Sequence, residues 1–156
     1  MNTRNSTFAS SILIVPRHVL GGKNFIAPSD QLNIAGIGVG GKGGSDLANA
    51  RGQGQARVSA MCDVDSQGKH GVLRSRKQFP KANFYTDFRE LLDKEKDIDA
   101  VTISTPDHTH GVIASYAMQR GKHVYVQKPL THNIKEARWL QILAQKEQLV
   151  TQMGNQ

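Results

Sequence analysis

From Leu32 onward the chain alternates short apolar runs with longer stretches in which apolar residues recur at helical spacing. That alternation is the mark of βαβ units and a parallel sheet. The apolar runs predict strands at Leu32–Ile37, Arg57–Cys62, Asn83–Tyr85, Ala100–Ser104, His123–Val126 and Val150–Met153. Between them, helices are predicted near Ser45–Ala50, Ser66–Phe79, Asp87–Leu92, Asp107–Arg120 and Ile134–Gln148. Asp87 with Glu90, and Asn133 with Glu136, stand at capping-box spacing. Gly121 sits where a left-handed helix C-terminus belongs. The last helix sets Ala137, Leu140, Ile142, Leu143 and Leu149 broadly on one side, against Lys135, Glu136, Gln145 and Lys146. Helix Ser66–Phe79 is weakened by Gly68 and Gly71, each costing about 1 kcal/mol relative to alanine. Six strands joined by crossovers predict an α/β, doubly wound, mostly parallel sheet of order 3-2-1-4-5-6, with helices on both faces.

Residues 1–31 fall outside this pattern and read as an N-terminal arm or remnant leader. Phe8 to Val15 is apolar apart from two serines and follows Arg4, but no small-x-small cleavage site follows it. A truncated export signal and an arm packed on the domain surface both fit. Val15 to Gly22, closing with Pro28-Ser29-Asp30, reads as an irregular connector.

Composition narrows the function classes. At 156 residues the chain has room for one ordinary domain, residues 32–156. No run reaches the roughly 18–20 apolar residues of a membrane span. Cys62 is the only cysteine, which excludes an internal disulfide or a multi-cysteine metal site and leaves the compartment open. The net charge is +7, but it is scattered. Its densest stretch, Lys69, Arg74, Arg76, Lys77 and Lys81, holds one aromatic (Phe79) and no nucleic-acid motif. It reads as a solvated helix face, with nucleic-acid binding the minority reading.

Glycine is concentrated: of 15 glycines, Gly38, Gly40, Gly41, Gly43 and Gly44 lie within seven positions. Gly38-Val39-Gly40-Gly41-Lys42-Gly43 is a G-x-G-x-x-G that leaves a strand and opens a helix. The first glycine suits a tight turn, the second lets backbone approach a pyrophosphate, and the third lets helix and strand pack closely. The helix N–H groups and dipole would then face the phosphates. The offset Gly36-x-Gly38-x-x-Gly41 also fits; the later register is preferred because it lets the strand run to Ile37. Asp63 lies 63 − 43 = 20 residues beyond Gly43, at the end of the second strand, where a carboxylate accepts from adenosine ribose hydroxyls. It would repel a 2′-phosphate and so favours NAD over NADP. Asp65 is its rival, and Arg57 is too early to hold a 2′-phosphate.

Ligands of such sheets lie beyond the carboxyl ends of the strands, where two polar motifs occur. Thr105-Pro106-Asp107-His108-Thr109-His110 ends the fourth strand. Pro106 fixes the turn, and Asp107 can cap the helix. His108 and His110 make a thin case for a metal; cofactor contacts or capping fit better. Tyr125-Val126-Gln127-Lys128-Pro129-Leu130 ends the fifth. A lysine desolvated there beside a cofactor is an acid–base candidate for a hydroxyl or carbonyl. A lysine that merely reaches solvent is the plain alternative.

Together these motifs, with Ile34-Ala35-Gly36-Ile37 and Cys62-Asp63-Val64-Asp65, resemble the glucose–fructose oxidoreductase / inositol dehydrogenase / MocA-like (Gfo/Idh/MocA) family over residues 32–156. The resemblance implies a Rossmann domain of an NAD-dependent oxidoreductase acting on a sugar or polyol. It implies that Gly38, Val39, Gly40, Gly41, Lys42 and Gly43 cradle the pyrophosphate and that Asp63 binds ribose. Thr105, Pro106, Asp107, His108 and His110 would line the nicotinamide side, and Asn155 would add a contact. Lys128 matches the family's Glu-Lys-Pro lysine; Gln127 replaces the glutamate and cannot stabilise a lysinium as a carboxylate would. The family's second domain, for substrate and oligomerisation, is not in this sequence, so the chain reads as an N-terminal part. An NAD-dependent glycosidase and a binding-only module are the alternatives. The Ile14–Gly22 arm and the Gln-Lys-Pro variant also resemble an exported bacterial subgroup with twin-arginine leaders, although Asn5 follows Arg4.

Overall fold

The structure, a computed structural model, describes residue 22 and residues 26–68 and 70–155. The predicted leader, up to residue 21, lies outside them. The chain divides into two compact units, Met1–Gln31 and Leu32–Gln156; the second carries all that follows. Its strands are β1 (Leu32–Ile37), β2 (Ala56–Cys62), β3 (Asn83–Tyr85), β4 (Ala100–Ile103), β5 (His123–Val126) and β6 (Thr151–Met153). Its helices are α1 (Gly41–Arg51), α2 (Val72–Gln78), α3 (Phe88–Lys94), α4 (His110–Met118) and α5 (Ile134–Lys146), with a 3-10 turn at Asp107–Thr109 before α4. The sheet order is β3-β2-β1-β4-β5-β6, as expected, and every pairing is parallel.

Alternation along β1 feeds two cores. Ala35 and Ile37 pack on one face with Val101, Ile103, Val124 and Val126, under α3, α4 and α5. Ile34 packs on the other face with Val58 and Met61, under Leu47 of α1 and Val72 of α2. Period-two alternation buried on both sides is what a parallel sheet needs. No described helix is long and apolar enough to cross a membrane.

The departures from expectation are local. Helix α1 begins at Gly41, not Ser45, because its first turn is built from glycines that carry no apolar period. The helix predicted at Ser66–Phe79 shrinks to Val72–Gln78: Gly68 (φ +79) and Gly71 (φ +92) are left-handed and break it. Asn133 does accept the Glu136 N–H (2.9 Å), but Glu136 returns to the His132 N–H rather than to that of Asn133. Asp87 caps through the Arg89 N–H, while Glu90 pairs with Lys94 instead of closing a box. Neither Pro106 nor Thr109 makes a side-chain cap, and the segment the sequence gives to one helix starts as a 3-10 turn holding Asp107. Ile142 is 56% exposed while Leu140 and Leu143 are buried. Two residues turn a helix by about 200°, so Ile142 could not share a face with Leu140.

The order reverses between β1 and β4, which sets the chain leaving β1 beside the chain leaving β4. The strand ends are stitched there: Gly38 N–H donates to Cys62 O (2.8 Å), Ser104 N–H to Ile37 O (2.9 Å), and Gln127 N–H to Ile103 O (2.8 Å).

Candidate functional site

The turn leaving β1 is held by backbone closeness. Gly38 has φ +77, and a Cβ on it would stand 2.7 Å from Ser104 O. A Cβ on Gly40 would meet His70 O at 2.8 Å, and one on Gly43 would meet Gly38 O at 1.8 Å. Close approach of strand and helix is therefore enforced at the third glycine of the later register. In the offset register the last glycine is Gly41, whose Cβ would meet nothing within 4 Å.

Asp63, at the end of β2, is turned onto this glycine turn. Its Oδ2 accepts the N–H groups of Val39 (2.9 Å) and Gly40 (3.1 Å), and its Oδ1 accepts that of Asp65 (2.9 Å). Asp65 faces its own loop, accepting from Gly68 (3.0 Å) and His70 (2.9 Å). Gly41 N–H donates to His70 O (2.8 Å). Arg57, early in β2, is exposed and donates to Asn33.

A cavity of about 690 Å³ runs from Gly38 and Gly40 past Asp63 and Val64, bordered by Thr105, His108 and Val112 on one side and Thr86–Arg89 on the other. That is an ordinary volume for a small-ligand or cofactor site. The Thr86–Arg89 wall was not anticipated. Sheet order would have placed it: β3 neighbours β2, so the turn after β3 must reach the same end. Arg89 there is paired with Asp87 (2.8 Å). Buried Cys62 borders the same cavity; burial first, and then the charges of Asp63, Asp87 and Glu90, push its thiol up to about 12.

Beyond β4, the Thr109 hydroxyl lies 2.8 Å from Thr105 Oγ1, while Pro106, Asp107 and His108 are exposed. His110 is 1% exposed, with Nδ1 2.6 Å from Pro129 O and Nε2 2.8 Å from Thr105 O, so its ring ties the loops after β4 and β5 together. Both nitrogens face carbonyls, which removes it from the metal reading. Lys128, after β5, is exposed and precedes a cis proline. The expectation that the strand end would desolvate it does not hold. Asn155 is exposed just past β6.

Behind the glycine turn lies a polar cluster that the sequence reading missed. Asp46 of α1 is 5% exposed. Its carboxylate takes Lys42 Nζ from the preceding helical turn, Ser104 Oγ (2.9 Å) and Gln127 Nε2 (3.0 Å). Burial pushes the Asp46 carboxyl up, but these hydrogen bonds and the Lys42 charge outweigh it and hold it below the usual carboxylate range. Lys42 and Asp46 at i,i+4 were visible as a pair; that this face of α1 turns inward was not.

A doubly wound parallel sheet, a backbone-tight glycine turn at its switch point and a carboxylate bonded onto that turn define a nucleotide-binding α/β domain. Residues 32–155 match the Gfo/Idh/MocA family model, described as an oxidoreductase family with an NAD-binding Rossmann fold, and the chain belongs to that family. Among relatives, a glycosyl hydrolase family 109 protein of Shewanella sp. (strain ANA-3) is 35% identical over 150 residues, covering 90% of this chain and 32% of that protein. The fold is similar to that of myo-inositol 2-dehydrogenase from Lactobacillus plantarum, with a TM-score of 0.70 and 25% identity over 80% of this chain and 36% of that one. It is also similar to GenD2 from gentamicin A biosynthesis in complex with NAD, with a TM-score of 0.72 and 26% identity over 90% of this chain and 37% of that one. The chain thus spans about a third of the length of the curated relatives it matches.

Proposed function

We propose that the cavity beside the glycine turn holds NAD, with its diphosphate on Gly38, Val39, Gly40, Gly41, Lys42 and Gly43 and its adenosine ribose on Asp63. The orientation of the Asp63 carboxylate carries this reading. It accepts three N–H bonds out of about four lone-pair sites, so one ribose hydroxyl can be added without displacing a bond. The Gly38, Val39, Gly40, Gly41 and Gly43 N–H groups are already donated to protein oxygens, so the diphosphate would rest against the backbone of Gly38 and Gly40, which border the cavity. The choice of NAD over NADP rests on the same carboxylate, together with the engagement of Arg89 by Asp87. Thr105, Pro106, Asp107, His108 and His110 shape the loop on the nicotinamide side, His110 by holding its backbone, and Asn155, exposed past β6, is the further contact proposed.

In the whole protein the proposed reaction is oxidation or reduction at a CH–OH carbon of a sugar or polyol. NAD, when bound, supplies the hydride acceptor. Lys128 takes the hydroxyl proton at Nζ in the oxidising direction and returns it in the other; its exposure lets it reach a substrate held outside residues 32–155. A second reading, a glycosidase that oxidises transiently and returns the hydride, is favoured by the glycosyl hydrolase names of similar chains at 35% identity.

The test is a calorimetric titration of the chain with NADH and NADPH, in wild type and Asp63→Ala. NADH is expected to bind at least about tenfold tighter than NADPH, and Asp63→Ala to weaken NADH by about tenfold or more, a change of about 1.4 kcal/mol. Unchanged NADH affinity in Asp63→Ala would overturn the ribose assignment.

A further inference from the structure

The Asp46 cluster joins the three segments that meet at the switch point. Asp46 stands in α1, directly behind the glycine turn; Ser104 ends β4, and Gln127 ends β5. A carboxylate this buried is stable only when paired and hydrogen-bonded. Here Oδ1 takes Lys42, and Oδ2 takes both Ser104 and Gln127.

The consequence lies in the orientation of Gln127. A carboxylate only accepts, so it draws the NH2 end of the Gln127 amide inward and leaves the carbonyl end facing the other way. That carbonyl, Oε1, accepts the backbone N–H of Lys128 at 2.8 Å. Gly154 lies beside Oε1: a Cβ added there would come within 2.8 Å of it.

We infer that Asp46 is a positioning residue for Lys128: through Gln127 it fixes the backbone at the start of the Lys128-Pro129 turn and locks that turn to the glycine-turn helix. It touches neither Lys128 nor a ligand itself. The pair is one carboxylate and one amide, and both halves matter. A second carboxylate at 127 would put two negative charges about 3 Å apart in a buried site, which strongly disfavours one of them. Two amides would leave the direction of the bond to Lys128 undetermined. Where the dinucleotide sits rests on the reading above; the link from Asp46 to the Lys128 backbone does not.

The test compares wild type, Asp46→Asn, Gln127→Glu and the exchanged pair Asp46→Asn/Gln127→Glu, reading the Lys128 amide by 1H–15N NMR and hydrogen exchange. In Asp46→Asn the Lys128 amide proton is expected to move upfield and to exchange about tenfold faster, while the amides of β1 and β4 keep their rates. Gln127→Glu is expected to be the worst variant. The exchanged pair, with one carboxylate again, is expected to recover the Lys128 signal, which a merely structural defect would not do. An unchanged Lys128 amide in Asp46→Asn overturns the inference. So does a uniform acceleration of all amides that the exchanged pair fails to reverse. NADH affinity is measured in parallel: no binding by wild type would overturn the dinucleotide reading alone and leave the amide data to decide this one.

Discussion

Replacing Gly43 by alanine is the sharpest perturbation the glycine turn offers. The new Cβ would lie 1.8 Å from Gly38 O, where ordinary contact begins near 3.4 Å, so 3.4 − 1.8 = 1.6 Å must be found. Neither partner can give by a rotamer change, since the clash is with backbone. The Gly38 side is pinned by its N–H bond to Cys62 O and by the nearness of Ser104 O, so the first turn of α1 has to move. Overpacking of a tight core costs about 1–3 kcal/mol, and a backbone clash belongs at or above the top of that range. Gly121→Ala is the matched control: φ is +72 and nothing lies within 4 Å of a Cβ, so only the left-handed penalty of about 1–2 kcal/mol applies. Urea unfolding followed by circular dichroism should show Gly43→Ala weaker than Gly121→Ala by about 2 kcal/mol, a large share of the 5–15 kcal/mol of a typical domain. Movement of α1 carries Lys42 and Asp46 with it, so NADH affinity should fall in Gly43→Ala and not in Gly121→Ala. Equal stability of the two variants would refute the close-packing account of the third glycine.

Two further outcomes follow from the titrating groups. The Cys62 thiol, pushed up to about 12 chiefly by burial, should not react with Ellman's reagent at pH 8 in the folded chain and should react fully in urea; labelling of the native chain at the unfolded rate would contradict its placement. Asp46 is held below the usual carboxylate range when folded, so its contribution is complete above the unfolded value near 3.9 and is lost as pH falls through the lower folded value. Unfolding free energy measured from pH 6 to 3 should therefore decline less steeply in Asp46→Asn than in wild type, by at most about 1.4 kcal/mol per pH unit; identical slopes would show that Asp46 is not the depressed group.

What could be read in advance depended on the range of the interactions involved. Strand positions were legible because each is set by a few adjacent apolar residues, and the order followed from βαβ handedness once six strands were counted. The tight glycine turn and the nearness of Asp63 to it were legible because glycines leaving one strand and a carboxylate ending the next stand at a fixed spacing. Asp46 was not, since its partners Ser104 and Gln127 stand 58 and 81 residues away. Nothing in the chain near Asp46 distinguishes an inward from an outward carboxylate. Ile142 was misplaced for a simpler reason: angular arithmetic separates it from Leu140 and Leu143, and apolar character alone does not assign a face. His110 was noticed as a possible ligand, but its two carbonyl partners are set by the meeting of two loops that no local pattern encodes.

The dehydrogenase and glycosidase readings make the same demands on residues 32–155, because each removes hydride from a carbon and each needs the dinucleotide held between the glycine turn and Lys128. They part at the fate of the reduced cofactor. A dehydrogenase must release NADH in every turnover, so the release rate bounds its kcat. For a typical kcat of about 10 s⁻¹ and an association rate of about 10⁶ M⁻¹s⁻¹, the ratio gives a Kd near 10 μM. A glycosidase that returns the hydride to the same substrate is under no such bound and is better served by retention. At the same association rate, a Kd of about 0.1 μM implies release at about 0.1 s⁻¹, a hundredfold too slow for the dehydrogenase cycle. In the proposed site the ribose contact, Asp63 on its turn, lies within this chain. A measured NADH dissociation constant on this chain therefore discriminates between the two readings.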